Sequence, residues 1–391
     1  GAITVADNSA LDFEATGSYA LGIQVGDGVN TSAVQSVTIT VTEVNDTAPV
    51  IPAGQSFTVS EDAANTSAVG TVTASDADTV GSLTGWTIVS GNADGVFTID
   101  PSTGAITVAD NATLDFEATG SYTLGIQVGD GVNTSAVQTV TITVTDVNDT
   151  APVIPGGQSF TVSEDAADTT TVGTVTAGDA DTIGSLTGWT IVSGNDDGVF
   201  TIDASTGAIT VADNSVLDFE ATGSYTLGIQ VGDGVNTSAV QTVTITVTDV
   251  NEAPNAISLD NTTVAENATG AIVGNLSTTD PDSGETFTYS VDDARFEVVA
   301  GQLKLKAGQT LDFETEPSVN VTVTSTDAGG LSTNQLFALT VTNVNEAPTA
   351  ISLDNTTVAE NADGAVVGNL ATTDVDAGDT HSYTVNDARF E

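Results

Sequence analysis

No cysteine or methionine occurs among the 391 residues, histidine occurs once, and lysine and arginine together occur four times. The missing cysteines exclude disulfides, thiol nucleophiles and thiolate metal sites. All four basic residues (Arg295, Lys304, Lys306 and Arg389) lie in the last third, so residues 1–294 carry no lysine or arginine. A chain with 53 acidic residues and a formal net charge of -49 does not neutralise phosphates, which excludes nucleic acid as a partner. Attraction to an anionic membrane surface is excluded on the same ground. No apolar run is long enough to span a bilayer, so no membrane insertion is expected of this segment. The sole histidine, His381, is expected at the surface, and without one per unit no Ser-His-Asp arrangement recurs.

Repetition is what the sequence does contain. Leu-Asp-Phe-Glu occurs at 11–14, 114–117, 217–220 and 311–314. A connector, Asp146-Val147-Asn148-Asp149-Thr150-Ala151-Pro152, recurs in variant form from Glu43, Asp249 and Asn343 at the same spacings. Residues 47–149 and 150–252 align without gaps and differ at 11 of 103 positions. The unit at 253–346 is shorter and more diverged. Residues 1–46 match the second half of a unit, and 347–391 the first half. Three complete units with a half unit at each end are therefore expected, as a window on a longer tandem array.

Within 47–149 the runs at 55–60, 69–74, 85–90, 96–100, 105–109, 122–128 and 137–145 are rich in Val, Ile, Thr and aromatics. Turn clusters such as Gly91-Asn92 and Gly129-Asp130-Gly131 separate them. No helical period lasts a dozen residues. Seven short strands in about 100 residues fit an all-β, Greek-key, Ig-like sandwich of two sheets. Trp86, Phe97, Ile99, Leu114 and Tyr122 are its expected core, with Trp189, Phe200, Ile202, Leu217 and Tyr225 in the next unit. Each connector leaves a strand and reaches a proline, which lacks an N–H and holds the preceding residue extended. That leaves no room for a flexible linker, and the sandwiches are expected to follow one another as a linear rod.

Four acidic motifs recur at matched places. They are Glu61, Glu164 and Glu266 near the start of each unit, and the Asp-x-Asp pairs Asp76/Asp78, Asp179/Asp181 and Asp280/Asp282. Next come Asp115/Glu117, Asp218/Glu220 and Asp312/Glu314 of Leu-Asp-Phe-Glu, then Asp130, Asp233 and Asp327. The connectors add Glu43, Asn45 and Asp46; Asp146, Asn148 and Asp149; Asp249, Asn251 and Glu252; and Asn345 and Glu346. The half units carry Asp12 and Glu14 at one end and Asp374 and Asp376 at the other. Singly each would read as a solvated carboxylate. Crowded together without a basic residue, they raise one another's pKa or gather a cation from solvent. Several carboxylates, an Asn and backbone carbonyls form the hard oxygen environment that suits Ca²⁺ better than Mg²⁺.

Other chemistry fits less well. Paired carboxylates could hydrolyse glycosides, but their recurrence in every unit suits a structural ion, and no enzyme activity is expected. Asp280-Pro281-Asp282-Ser283-Gly284 opens like an EF-hand loop, but Val291 stands where the bidentate Glu belongs.

The ordered set Trp86-Thr-Ile-x-x-Gly-Asn-x-x-Gly-x-Phe97-x-Ile99-Asp-x-x-Thr-Gly-x-Ile106, Leu-Asp-Phe-Glu, Asp130-Gly131 and Asp146-x-Asn148-Asp149-x-Ala151-Pro152 resembles the cadherin repeat. The resemblance covers essentially the whole chain. It implies about three Ca²⁺ ions at each junction. After 47–149 they would be held by Glu61, Asp115, Glu117, Asp146, Asn148 and Asp149 on one side and Asp179, Asp181 and Asp233 on the other. The next junction would use Glu164, Asp218, Glu220, Asp249, Asn251 and Glu252 with Asp280, Asp282 and Asp327. Glu43 and Asn343 replace the connector's first Asp, Glu252 and Glu346 its second acid, and Thr150 or Ala253 a following Asn of the family pattern. Asn343 removes a charge, so the last junction is expected to bind calcium most weakly. The N-terminal Trp exchange of vertebrate cadherins has no counterpart. Near-identical copies without Cys or Met look like the repeats of large bacterial secreted, RTX-type adhesins, whose glycine-rich nonapeptides are absent here. The function implied is a calcium-stiffened extracellular, cell-surface stalk or fibre. Its partners are further repeats of the same chain; other copies of the fibre, a filament of them or a cell-surface glycan target are alternatives.

Overall fold

The computed structural model describes residues 1–391, which divide into two compact units. One comprises Gly1–Thr161, Ala166–Val216 and Tyr225–Thr246, and the other Val162–Asp165, Leu217–Ser224 and Val247–Glu391. Both are built from strands; the only helical pieces are the 3-10 turns Asn111–Thr113 and Asn214–Val216. No helix is long and apolar enough to cross a membrane.

Seven strands form between residues 56 and 145: Ser56–Ser60, Ala68–Thr71, Thr84–Ser90, Phe97–Ile99, Ala105–Val108, Ser121–Gly129 and Gln138–Thr145. Four of them make one sheet, in the order 56–60, 138–145, 121–129, 84–90, and the other three make a second, 68–71, 105–108, 97–99. The first strand runs parallel to the last, with Phe57 opposite Ile142; the remaining pairs are antiparallel. Alternation explains which face is buried. In Gln138–Thr145 the inward residues Val140, Ile142 and Val144 are buried, while Thr139, Thr143 and Thr145 face out. Trp86, Phe97 and Leu114 enter the core as expected. Ile99 and Tyr122 pack at its margin, Tyr122 edge-on to Phe97 with ring centroids 5.1 Å apart.

The second strand stops earlier than its Val/Thr pattern suggests. A register shift falls between Ala68 and Gly70, and beyond it Thr73 bonds to a side chain rather than to a strand. The Gln55 amide takes the Thr73 N–H at 2.9 Å and donates to the Thr73 carbonyl at 2.9 Å, standing in for a peptide where the chain crosses between sheets.

The diverged region from 256 to 342 has eight strands, one more than expected, because its first strand is divided. Ala256–Leu259 pairs antiparallel with Ile272–Thr279, and Thr263–Ala265 pairs parallel with Ser332–Thr342 in the opposite sheet. Asp260 and Asn261 make the crossing. Asp260 accepts the Asn275 N–H at 2.6 Å, and Asn261 Nδ2 donates to the Thr263 carbonyl at 2.9 Å. A second core centres on Phe296, Leu303, Leu305, Val321 and Leu339. In the half repeats Ser18–Ile23 pairs with Gln35–Thr40, and Ala350–Leu353 with Leu370–Thr373.

Candidate metal centres at the repeat junctions

Glu61, buried at 6 % exposure, is the hub of the junction after residues 47–149. Its Oε2 accepts the Phe116 N–H of the Leu-Asp-Phe-Glu loop at 2.7 Å, and its Oε1 accepts the connector's Val147 N–H at 2.5 Å. Glu164 holds Phe219 and Val250 in the same way, and Glu266 holds Phe313 and Val344. One carboxylate thereby fixes two loops, a role the spacing of the motifs did not disclose. Within the loop, Asp115 Oδ1 accepts the Ala118 N–H at 2.8 Å and closes the turn that carries Glu117; Asp12, Asp218 and Asp312 do the same.

The Asp-x-Asp pair meets the connector from the following repeat. Asp181 Oδ2 accepts the Thr150 N–H at 3.0 Å, Asp78 Oδ2 the Thr47 N–H at 2.9 Å, Asp282 Oδ2 the Glu252 N–H at 2.8 Å and Asp376 Oδ2 the Glu346 N–H at 2.6 Å. The first Asp of each pair, Asp76, Asp179, Asp280 or Asp374, accepts the N–H of the second. Asp130, Asp233 and Asp327 are buried, and each uses one oxygen to take two N–H groups of its own hairpin loop. Burial pushes the Asp130 and Asp233 carboxyls up, but these N–H donors outweigh it and hold both below the usual carboxylate range.

Asn148 lies against the Asp233 carbonyl, with Asn236 Nδ2 3.3 Å from its Oδ1. A Cβ at Gly184, whose φ is +99°, would come within 2.5 Å of Asn148 Nδ2. Glycine is required there by backbone and by space. Thr182 donates both its N–H and its hydroxyl to Asp146 Oδ2; Thr79 donates its N–H to Glu43 Oε1 and its hydroxyl to Oε2, holding Glu43 below the usual range.

These contacts bring the acids together. Carboxylate oxygens of Glu61, Glu117 and Asp146 lie within 4.8 Å of one another, as do those of Glu117, Asp149 and Asp181. Glu14 with Glu43 and Asp78, Asp76 with Asp78 and Asp130, and Glu164 with Glu220 and Asp249 form like groups. Two carboxylates at such a distance repel by about 3–4 kcal/mol at an effective dielectric of about 20. Burial, then the charges of Glu61, Asp181 and Asp146, push Glu117 up to about 6, although the side chain as a whole is exposed. Burial with neighbouring acids likewise raises Glu220, Asp249, Glu252, Asp280 and Glu314.

Seven buried side-chain oxygens have no hydrogen-bond partner: Asp78 Oδ1, Asp146 Oδ1, Asp181 Oδ1, Glu252 Oε2, Asp280 Oδ2, Glu346 Oε2 and Asp376 Oδ1. Every one belongs to a residue singled out from the sequence as a metal ligand. Buried polar atoms are almost always partnered, so unpartnered anionic oxygens beside further carboxylates fit a hard divalent cation. His381 departs from expectation. It is half-buried rather than at the surface, with Nδ1 3.7 Å from Asp374 Oδ2, because the loop folds it against the Asp-x-Asp pair.

Tandem two-sheet sandwiches with acidic loops at their junctions define the class of this protein. Residues 55–145 and 158–248 match the cadherin domain family, and the chain carries cadherin domains there. It is 32% identical to human protocadherin Fat 1 over 403 residues, covering 96% of this chain and 9% of that protein. It is 30% identical to human cadherin-related family member 2, covering 92% and 30% of the two chains, and 31% identical to the Drosophila melanogaster protocadherin-like wing polarity protein stan, covering 94% and 11%. The chain thus spans less than a third of each of these relatives. Among solved structures, the extracellular cadherin domains 1–5 of protocadherin gamma B2 match with a TM-score of 0.62 at 23% identity, covering 94% of this chain and 75% of that one. Mouse cadherin-23 EC22–24 matches with a TM-score of 0.53 at 25% identity, covering 76% and 100%. Cadherin domains are adhesion modules without enzymatic activity, and their repeats generally bind Ca²⁺ at the junctions.

Proposed function

We propose that this segment is a calcium-bridged stalk of an extracellular, cell-surface adhesion protein, with ions held wherever a connector meets the next Asp-x-Asp pair. At the junction after 47–149 the holders are Glu61, Asp115, Glu117, Asp146, Asn148 and Asp149, with Asp179, Asp181 and Asp233. About three ions per junction follow from likeness to the family. A divalent cation supplies the positive charge that residues 1–294 lack altogether. The observation that carries this reading is the set of seven buried, partnerless carboxylate oxygens, all on the expected ligands. Glu61 and Asp181 hold the two loops and the connector through backbone N–H groups, which supports a fixed geometry for the proposed ligand oxygens. Sites of the extracellular type, with dissociation constants of about 10⁻⁴–10⁻³ M, fill outside the cell and empty in the cytosol. The high net charge keeps neighbouring copies soluble and apart. The relatives found are animal cadherins, so the likeness to bacterial adhesins rests on the near-identical copies and the missing Cys and Met; calcium bridging follows from either origin.

The test is thermal unfolding and small-angle scattering of the whole segment in millimolar Ca²⁺ and after chelation. A steep fall in Tm with a changed maximum dimension supports the stalk. If neither quantity moves, the acids only solubilise the surface, and recognition of a partner by the repeats replaces this reading.

A further inference from the structure

At the junction between 253–346 and 347–391, two amides stand where the junctions after 47–149 and 150–252 have carboxylates. Asn343 stands where the connectors beginning at Asp146 and Asp249 have Asp, and Asn267 stands where the earlier repeats have Asp62 and Asp165. Both amides point into the acidic cluster. Asn343 Nδ2 donates to Glu314 Oε1 at 3.2 Å, and Asn267 Nδ2 donates to Glu346 Oε1. Asn267 reaches it from a left-handed backbone, φ +59°, a conformation that Asn and Asp tolerate. The cluster keeps two open oxygens, Glu346 Oε2 and Asp376 Oδ1, and Asp376 is only 6 % exposed. The site is therefore present but altered. Two of its carboxylates already have a neutral donor, and the two Asn-for-Asp exchanges remove two formal charges.

Resting on the calcium reading above, we propose that Asn267 and Asn343 are affinity-setting residues that make this junction a low-affinity, partly self-tied joint in an otherwise calcium-dependent array. Two amide hydrogen bonds hold Glu314 and Glu346 without an ion, and an arriving cation must break them or share the same oxygens. Calcium affinity follows ligand charge count, so the missing carboxylates act in the same direction. At the junction after 47–149 the opposite arrangement holds: Asp146 carries the charge, its Oδ1 is open, and its other oxygen is held by Thr182 of the following repeat. Ala377 replaces that Thr at the last junction and has nothing to donate from its side chain.

The test is hydrogen exchange of the full chain against free Ca²⁺, read on connector peptides, which differ in sequence at every junction. In the unsubstituted chain, protection of 343–348 is expected to appear at about tenfold higher Ca²⁺ than that of 146–151. In chelator, 343–348 exchanges more slowly than 146–151. Asn343→Asp should lower the calcium midpoint of the last connector about tenfold and speed its exchange in chelator, and adding Asn267→Asp should extend both changes. The 146–151 transition reports folding within the same molecules. Coincident midpoints in the unsubstituted chain overturn the proposal. So does a doubly substituted chain whose last connector keeps its midpoint while 146–151 behaves normally. If calcium protects no connector, the stalk reading itself fails.

Discussion

The junction after 47–149 and the junction after 253–346 are built on one scaffold and handle crowded negative charge differently. In both, a buried Glu (Glu61 or Glu266) takes one N–H from the Leu-Asp-Phe-Glu loop and one from the connector. In both, an Asp of the next repeat (Asp181 or Asp376) takes a connector N–H and leaves its second oxygen buried and open. What differs is the neutralising partner. Carboxylates alone meet around Glu117, whereas two amides enter the last cluster. Backbone hydrogen bonds thus fix where the oxygens sit, and side-chain substitutions decide how strongly the place demands a cation.

Removing calcium should expose that difference most strongly. At millimolar Ca²⁺ a site with a dissociation constant of about 10⁻⁴ M adds about 1.4 kcal/mol to stability, and several such sites add together, so chelation should lower Tm in a first, large step. In a scan followed by exchange of connector peptides, that step should belong to the carboxylate-only junctions, with 343–348 changing least. Equal loss at both would erase the comparison.

Asp181→Ala and Asp376→Ala sharpen it. In calcium, Asp181→Ala should destabilise by about 1–1.5 kcal/mol for each ion lost. In chelator the sign is close to neutral, because the unpaired Thr150 N–H costs about 1–3 kcal/mol while relief of repulsion returns a similar amount. Asp376→Ala should show a smaller gap between the two conditions. Urea unfolding with and without calcium measures both gaps.

Much of this was readable from the sequence, and the exceptions have physical causes. Alternation of Val, Ile and Thr placed the strand at 137–145 within one residue of the observed Gln138–Thr145, since a half-buried strand states its own period. Equivalent positions in a diverged unit marked the acids, and every orphaned oxygen falls on one of them. The divided first strand at 256–265 was hidden, because its two halves are decided by partners elsewhere in the chain, Ile272–Thr279 and Ser332–Thr342. Asn267 was passed over because its partner, Glu346, lies 79 residues away. The half-buried His381 was missed because a single residue has no repeat to compare it with.

Glu61→Gln and Glu266→Gln isolate the shared scaffold. A Gln keeps one acceptor and turns an amide donor toward an N–H, so each should cost about 1–2 kcal/mol. The two costs should agree in chelator, where the ion plays no part. A loss at Glu61 alone would mean that the scaffolds are not equivalent.

The smallest effect is on pH dependence, and its sign reverses with calcium. Glu117 is held at about 6 against an ordinary 4.5, chiefly by burial and then by Glu61, Asp181 and Asp146. In the metal-free chain, the penalty of ionising it in the fold is absent below 4.5 and fully present above about 6. Stability should therefore fall as pH rises through that window. With calcium bound the carboxylate is the required form, protons compete with the ion, and stability should fall as pH drops through the same window. Glu314 is also raised, but it meets the Asn343 amide, so its junction should contribute less to either trend. Tm read at half-unit steps from pH 4.5 to 7, with and without calcium, should give slopes of opposite sign. Asn343→Asp should steepen both, by replacing one of the two amides in the last cluster with a further carboxylate.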